Sequence, residues 1–272
     1  MVTKLVTGLT RISNAFKISR SRGTVALMPY FTLGYPDTKT SVEIIQAIAQ
    51  SGADLIELGV PFSDPLADGP TIQRSTQIAL RQGMTLRRCL ELTSELRDRG
   101  VSQPLLLMGY VNPILTYGIQ RFVDDSLASG ADGLIVPDLP PEEAGELEAA
   151  CSAAGLALVY LLAPTSTEER IRLVVERSSG FVYLVSVNGV TGARSALPTD
   201  LAQFVYRVKK YTEKPLAVGF GISTAEQAGQ VSRLVDGIIV GSALINEIEK
   251  GDAPASLAAD FVSVLRAALD EG

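Results

Sequence analysis

Three carboxylates at the end of one apolar segment are the residues best placed for proton-transfer chemistry. Glu57 lies among leucine and isoleucine residues in DLIELGVP, where burial would disfavour its charged form. A carboxyl group whose pKa is raised toward neutrality can serve as general acid and general base. The alternative is a structural ion pair with a buried lysine or arginine. Asp64 and Asp68 follow in the loop PFSDPLADGP, where either could do chemistry or cap the next helix.

The absence of histidine restricts the chemistry that this chain can perform. It excludes imidazole bases, imidazole metal ligands and Ser-His-Asp catalysis, so proton transfer falls to carboxylates, tyrosine or lysine. A magnesium site at DPLAD is a weak alternative, because its two carboxylates have no third ligand nearby. Cys89 and Cys151 lie in helix-like stretches without a CxxC neighbour, which indicates buried thiols. We therefore expect no metal site.

Glycine-rich segments late in the chain predict a phosphate site. VGFGIS (218–223) and VGSAL (240–244) each follow an apolar run and are predicted to open a helix. Glycine lets a phosphate approach the backbone, and the free N–H groups at a helix start attract it. VTGA (190–193) could add N–H groups from a third loop. The alternatives are glycines that only permit tight turns, or a dinucleotide site, for which GFGIST lacks the third glycine.

The elements that must position these residues follow a βα repeat. β-branched runs alternate with amphipathic helical patterns, which is typical of a parallel sheet. The predicted strands are Val25–Thr32, Asp54–Gly59, Leu105–Tyr110, Gly133–Val136, Ala157–Leu162, Phe181–Ser186, Leu216–Gly219 and Gly237–Val240. Eight such units predict a (β/α)8 TIM barrel of the α/β class. Its active site would lie at the carboxyl ends of the strands, where the loops 60–70 and 187–198 are unusually long.

One domain is expected over residues 1–272, because no Pro/Ser/Gly-rich linker interrupts the series. Two smaller domains are the alternative that length alone allows. An internal repeat is visible in SGADLIELG (51–59), SGADGLIVP (129–137) and LVDGIIVG (234–241). Capping boxes are predicted at Ser166/Glu169 and Ser223/Glu226.

Residues 1–24 are basic and contain no acidic residue. The spacing of Ile12 and Phe16 predicts a helical extension that packs on one end of the barrel. An organelle transit peptide is the alternative, and it would place the protein in a plastid. The net charge of −6 argues against binding to nucleic acid or an anionic membrane, and the longest apolar runs are too short to span a bilayer. We expect a soluble, cytoplasmic protein.

Several longer motifs resemble those of one enzyme family, the tryptophan synthase alpha subunits, over approximately Phe16 to Leu265. The motifs are YFTLGYPD (Tyr30–Asp37), LIELGVPFSDPLADGPTIQ (Leu55–Gln73), LLLMGYVNPI (Leu105–Ile114), LIVPDLP (Leu134–Pro140), YLVSVNGVTGAR (Tyr183–Arg194), VGFGIS and VGSAL. The resemblance implies a lyase that cleaves indole-3-glycerol phosphate to indole and D-glyceraldehyde 3-phosphate.

The resemblance also implies a role for individual residues. Glu57 matches the family's acid/base catalyst, Asp68 the carboxylate that engages the indole N–H, and Tyr183 a residue that flanks Glu57. The implied phosphate contacts are Gly192, Phe220, Gly221, Gly241 and Ser242. The implied indole walls are Tyr30, Met108, Leu134 and Ile135, and Thr191 would close loop six over the substrate. The implied partner-interface residues are Asp64, Pro65, Asn112 and Pro140.

The implied partner is a beta subunit that carries pyridoxal phosphate, receives indole through a tunnel and forms an alpha2beta2 tetramer. This chain itself is then expected to bind no cofactor. Two alternatives remain open at the level of the sequence. One is a stand-alone lyase that releases free indole, and the other is a non-catalytic phosphate-sensing partner that regulates a beta chain.

Overall fold

The computed structural model describes residues 7–185, 199–219 and 221–271. Their strands form one sheet with the order β5-β4-β3-β2-β1-β9-β8-β7-β6, and every described pair is parallel. The strands are β1 (Ala26–Thr32), β2 (Ile56–Gly59), β3 (Leu105–Met108), β4 (Gly133–Ile135), β5 (Ala157–Val159), β6 (Leu161–Leu162), β7 (Val182–Val185), β8 (Leu216–Gly219) and β9 (Gly237–Val240).

The two ends of this sheet order belong to one stretch of chain. The predicted fifth strand is interrupted at Tyr160, which separates β5 from β6. The Tyr160 N–H donates to the Ser178 hydroxyl at 3.1 Å and so leaves the pairing with β4, while its carbonyl accepts from the Tyr183 N–H of β7 at 3.1 Å. Because β5 pairs with β4 and β6 pairs with β7, the sheet curves round into a nearly closed barrel. The predicted TIM barrel is therefore confirmed, with its fifth strand in two parts.

Helices follow the strands around the barrel. Within the described residues they are α1 (Gly8–Ser21), α2 (Thr38–Gln50), α3 (Pro70–Arg81), α4 (Leu86–Asp98), α5 (Val111–Tyr117), α6 (Ile119–Ala128), α7 (Gly145–Ala154), α8 (Glu168–Arg177), α9 (Thr199–Lys209), α10 (Ala225–Ser232), α11 (Ser242–Ile248) and α12 (Pro254–Asp270). A 3-10 turn covers Pro141–Glu143. Among them, no helix is long and apolar enough to cross a membrane.

Alternating side chains divide the core into two layers. The inner layer fills the barrel and includes Met28, Leu106 and Phe181, all fully buried. The outer layer packs between the sheet and the helices and includes Leu27 and Leu107. Period-two alternation along each strand produces this division. Because the interior is filled with side chains, a ligand can enter only at the mouth.

Helix α1 closes the end of the barrel opposite the predicted site. Thr7 caps it by accepting from the Thr10 N–H. Ile12 and Phe16 belong to the inner layer, and the Phe16 ring lies 5.5 Å from that of Phe181. The burial of these two side chains accounts for their i, i+4 spacing.

The aspartates of the internal repeat have a common structural role at this closed end. Each carboxylate accepts a hydrogen bond from a backbone N–H near the start of a neighbouring strand. Each also forms an ion pair with an arginine of α1 or with Arg22, which directly follows α1. The backbone bonds are Asp54 to Leu27 N–H (2.9 Å), Asp132 to Leu105 N–H (2.8 Å) and Asp236 to Leu216 N–H (3.0 Å). The ion pairs are Arg22–Asp54 (3.9 Å), Arg11–Asp132 (2.9 Å) and Arg20–Asp236 (2.8 Å).

Both predicted capping boxes are wrong by one residue. Thr167 caps α8 and Thr224 caps α10, each accepting from the backbone N–H three residues later. Ser166 instead accepts from the Ala163 N–H at 3.1 Å and closes the preceding turn. Adjacent Ser and Thr residues both satisfy a capping pattern, so the turn geometry decides which one is used.

Candidate active site

Glu57 is a buried carboxyl group inside the barrel, near the carboxyl end of its strand. It lies on β2, opposite Tyr30 of β1 and Leu106 of β3, with its side chain toward the interior. Its exposed fraction is 0%, and neither carboxylate oxygen has a hydrogen-bond partner among the described residues. Burial raises its pKa to about 8. The structural ion pair considered above therefore finds no support in the described part of the chain.

Asp68 lies in the loop after β2 and is half-buried. Burial raises its pKa to about 6, and a hydrogen bond from the Tyr110 hydroxyl opposes that rise. The same hydroxyl accepts from the Ala67 N–H at 3.0 Å, and the Gln73 amide donates to the Asp68 carbonyl at 2.8 Å. These contacts hold the loop against the residue that follows β3. Tyr110 was not predicted as a site residue, because an aromatic residue after a strand is a weak signal in the sequence.

Tyr183 lies on β7, across the barrel from Glu57, and its side chain is 7% exposed. Burial raises its pKa well above the ordinary value, and the charges of Glu57 and Asp68 raise it further. A Cβ atom at Gly219 would lie 2.7 Å from the Tyr183 hydroxyl, so the glycine leaves room for the phenol. The fold thus brings Tyr183 into electrostatic range of both carboxylates.

The predicted indole walls divide into two groups. Met108 and Ile135 are register partners and pack with the inner layer. Leu134 is a wrong prediction, because it alternates to the outer face and packs with Leu107 of β3 beneath the helices. Tyr30 faces inward opposite Glu57.

The predicted phosphate loops are neighbours because β8 pairs with β9. Gly221 has φ of +68°, a left-handed conformation that favours glycine. Ser242 is the first residue of α11 and Gly241 is its N-cap, so VGSAL opens a helix as predicted. The loop after β8 does not, since α10 begins only at Ala225. The predicted residues Thr191, Gly192 and Phe220 lie outside the described residues.

The predicted partner-interface residues follow three adjacent strands, β2, β3 and β4, and so lie on one side of the barrel mouth. Two large apolar side chains are exposed in the same segments, Leu66 in the loop after β2 at 93% and Leu115 in helix α5 at 55%. The interface set comprises Asp64 and Pro65 after β2, Asn112 in the first turn of α5, and Pro140 after β4.

Metal ligation has no support in the part of the chain that the structure describes. No group of three or more Cys, Asp or Glu side chains there could hold a metal ion. The two cysteines are buried and free.

Residues 16–269 match the family model described as tryptophan synthase alpha chain. The chain belongs to this family. It is 50% identical over 260 residues to a tryptophan synthase alpha chain of Roseiflexus castenholzii, covering 95% of this chain and 100% of the relative. A tryptophan synthase alpha chain of Citrifermentans bemidjiense is 51% identical over 266 residues, covering 97% and 99%.

Solved structures agree with this membership of the tryptophan synthase alpha chain family. A Mycobacterium tuberculosis tryptophan synthase structure matches with a TM-score of 0.90 and 40% identity, covering 96% of this chain and 99% of that chain. The tryptophan synthase subunit alpha of Legionella pneumophila matches with a TM-score of 0.89 and 37% identity, covering 96% and 99%. Members of the family are lyases of tryptophan biosynthesis that cleave indole-3-glycerol phosphate.

Proposed function

We propose that the barrel mouth cleaves indole-3-glycerol phosphate with Glu57 as general acid and base and Asp68 as the group that stabilises the indole nitrogen. The observation that carries this proposal is the buried Glu57 carboxyl, which has no hydrogen-bond partner among the described residues and whose pKa of about 8 leaves it protonated at neutral pH. A protonated carboxyl on a barrel strand, near the end where ligands of this fold bind, is suited to deliver a proton to carbon.

The reaction is a retro-aldol cleavage without net oxidation or reduction. Glu57 protonates indole C3, and the positive charge that forms is shared with N1. The bond from C3 to the glycerol carbon C3′ then breaks, and its electron pair restores the aromatic indole ring. The C3′ hydroxyl loses its proton to the Glu57 carboxylate and becomes the aldehyde of glyceraldehyde 3-phosphate, which returns Glu57 to its starting form.

Asp68 lowers the energy of the charged intermediate as a carboxylate near N1. Its pKa of about 6 keeps it ionised at neutral pH, while the higher pKa of Glu57 keeps that group protonated. Two carboxyl groups in one site thus take different roles because their burial differs. Tyr183 flanks Glu57, and Met108, Ile135 and Tyr30 contribute apolar walls for the indole ring.

The phosphate group would bind between the loops after β8 and β9. The adjacent positions of Gly221, Gly241 and Ser242 support this placement, since glycine backbone and a helix start are suited to an anion. Gly192 and Phe220 would complete the contacts, and Thr191 would close loop six. These three assignments rest on the family motifs.

The partner would be a pyridoxal-phosphate-bearing beta subunit in an alpha2beta2 tetramer, with no cofactor bound by this chain. The exposed Leu66, in the loop after β2, and the exposed Leu115, in helix α5, lie beside the interface set and support docking on that side. An aspartate at position 115 would place a charge in the buried interface. We expect Leu115→Asp to raise the dissociation constant for a beta subunit by about 10-fold or more, with indole release by the isolated chain unchanged. An unchanged dissociation constant would exclude this docking side.

The chain would act as one domain, residues 1–272, in the cytoplasm. The single domain is supported by the single sheet, which forms one barrel covered at its closed end by α1. The cytoplasmic location is supported by the bacterial relatives.

The experiment that tests the function is indole release from indole-3-glycerol phosphate in chelator-treated buffer, with and without a beta subunit. Slow release that rises sharply with the partner is the expected result. Fast release that ignores the partner would identify the stand-alone lyase. Absence of release in both conditions would overturn the catalytic proposal and leave a phosphate-binding regulatory role.

A further inference from the structure

Tyr30 lies between Glu57 and the predicted phosphate loop at Gly241. It lies on β1 opposite Glu57, and its ring fills the space left by two glycines. A Cβ atom at Gly59, the last residue of β2, would overlap the Tyr30 hydroxyl. A Cβ atom at Gly241, at the predicted phosphate loop, would lie 3.1 Å from the ring carbon Cδ1. The phenol therefore has one defined place, and its hydroxyl has one hydrogen-bond partner among the described residues.

That partner begins a buried chain of hydroxyl groups. The Tyr30 hydroxyl lies 3.4 Å from the Thr32 hydroxyl, which lies 2.7 Å from the Ser75 hydroxyl. The Ser75 hydroxyl donates to the Ile72 carbonyl at 2.9 Å. Thr32 and Ser75 have exposed fractions of 0%, so water does not compete for these bonds.

The direction of the chain follows from counting protons. A hydroxyl has one proton, and Ser75 uses its proton on the Ile72 carbonyl. Thr32 must therefore donate to Ser75, and Tyr30 must donate to Thr32. Each group donates once, which means that removing the Tyr30 hydroxyl leaves the Thr32 oxygen without its donor.

The chain ends at the start of α3, close to Asp68. Ile72 and Ser75 lie in the first two turns of that helix, which begins at Pro70, two residues after Asp68. Its N-cap is Gly69, which has no side chain to fix the helix start. The hydroxyl chain thus supplies a link from the barrel strand beside Glu57 to the segment that carries Asp68.

We propose that Tyr30 is a positioning residue which, through Thr32 and Ser75, sets the place of Asp68 relative to Glu57. The expected effect of this role on turnover rests on the proposed function. Its effect on Asp68 itself can be measured without turnover. An Asp68 that is held less firmly becomes more exposed, and its pKa then falls from about 6 toward the ordinary range for aspartate.

The first measurement is a carbon-13 NMR titration of the Asp68 carboxyl group in the full-length chain. Tyr30→Phe and Ser75→Ala are each expected to lower its pKa, and the double variant to lower it no further. Thr32→Val should act in the same way, while Thr32→Ser, which keeps the hydroxyl, should behave like the wild type. The matched control is Tyr160→Phe, since Tyr160 is also buried on the barrel but donates to Glu148 outside the site.

The second measurement is steady-state indole release by the same variants. Tyr30→Phe and Ser75→Ala should each lower kcat about 3- to 10-fold, the effect of one lost hydrogen bond, with KM nearly unchanged. An Asp68 pKa that stays at the wild-type value in Tyr30→Phe would overturn the proposal, as would additive effects in the double variant. Failure of the wild type to release indole would overturn the proposed function alone, because the titration still decides the role of Tyr30.

Discussion

Two carboxyl groups with raised pKa values define the chemistry at the scale of single residues. Asp68 must be ionised to stabilise a cation, and Glu57 must be protonated to act as an acid. Their pKa values of about 6 and about 8 leave both conditions fulfilled only between these limits. We expect a bell-shaped pH profile of kcat/KM with an acid limb near 6 and a basic limb near 8. A profile that is flat from pH 5 to 9 would contradict both assignments.

Glu57 should also affect stability in a pH-dependent way. Its pKa rises from the ordinary 4.5 to about 8 on folding, so the folded chain holds a proton that the unfolded chain releases in this range. Wild-type stability is therefore lost as pH rises from 4.5 through 8, and a glutamine cannot lose a proton. At pH 9, Glu57→Gln should exceed the wild type in unfolding free energy by roughly 3 to 5 kcal/mol. At pH 4 this advantage should be absent, and denaturant titrations at the two pH values check it.

Replacing Tyr110 should shift the pKa of Asp68, and with it the acid limb of kcat/KM, in the direction opposite to replacing Tyr30. Its hydroxyl donates to the Asp68 carboxylate and lowers the pKa of that group. Tyr110→Phe removes the donor while keeping the ring, so the pKa of Asp68 should rise above 6. The acid limb of kcat/KM should then move to higher pH, with activity lost at pH 6 and largely recovered at pH 8. An acid limb that moves to lower pH would show that Tyr110 acts by holding the loop.

At the scale of elements, the pairing of α1 with the closed end of the barrel explains the basic N-terminal segment. Arg11, Arg20 and the following Arg22 match the three repeat aspartates. Asp132 is the most buried of these, with 4% of its side chain exposed, and it also pairs with Arg97 at 2.5 Å. Three of the five basic residues that suggested a transit peptide thus form ion pairs within the fold.

This arrangement predicts unequal effects at equivalent positions of the repeat. Asp132→Asn leaves two guanidinium groups without a charged partner, one of them largely buried, and should cost about 3 kcal/mol of unfolding free energy. Asp236→Asn is the matched control, because its partner Arg20 is 73% exposed and contributes about 0 to 1 kcal/mol. Equal losses in denaturant titrations would contradict this explanation.

Most of the elements could be predicted from the sequence, and the exceptions have identifiable causes. The strands were visible because apolar, β-branched runs are local signals. The interruption at Tyr160 depends on a hydrogen bond to Ser178, eighteen positions away, which no local pattern shows. Leu134 was misplaced because the motif that contains it also contains Ile135, and only the strand register decides which of the two faces inward.

At the scale of the whole molecule, the barrel collects loops from distant parts of the chain at one mouth. The sequence indicated Glu57 because a charge inside an apolar strand is unusual, whereas Asp64 and Asp68 could not be separated without the family motifs. The hydroxyl chain of Tyr30, Thr32 and Ser75 could not be predicted, because it joins β1 to α3 across 43 positions. Contacts of this kind depend on how α3 packs against β1, which no local sequence pattern shows.

The central claim is that Glu57 performs the proton transfers, and its most direct test is indole release by Glu57→Gln. Glutamine keeps the shape of the side chain but cannot donate or accept the proton. We expect this substitution to lower kcat by about 10²- to 10⁴-fold, or about 3 to 5 kcal/mol in barrier, with the fold intact and KM little changed. Wild-type turnover in Glu57→Gln would contradict it.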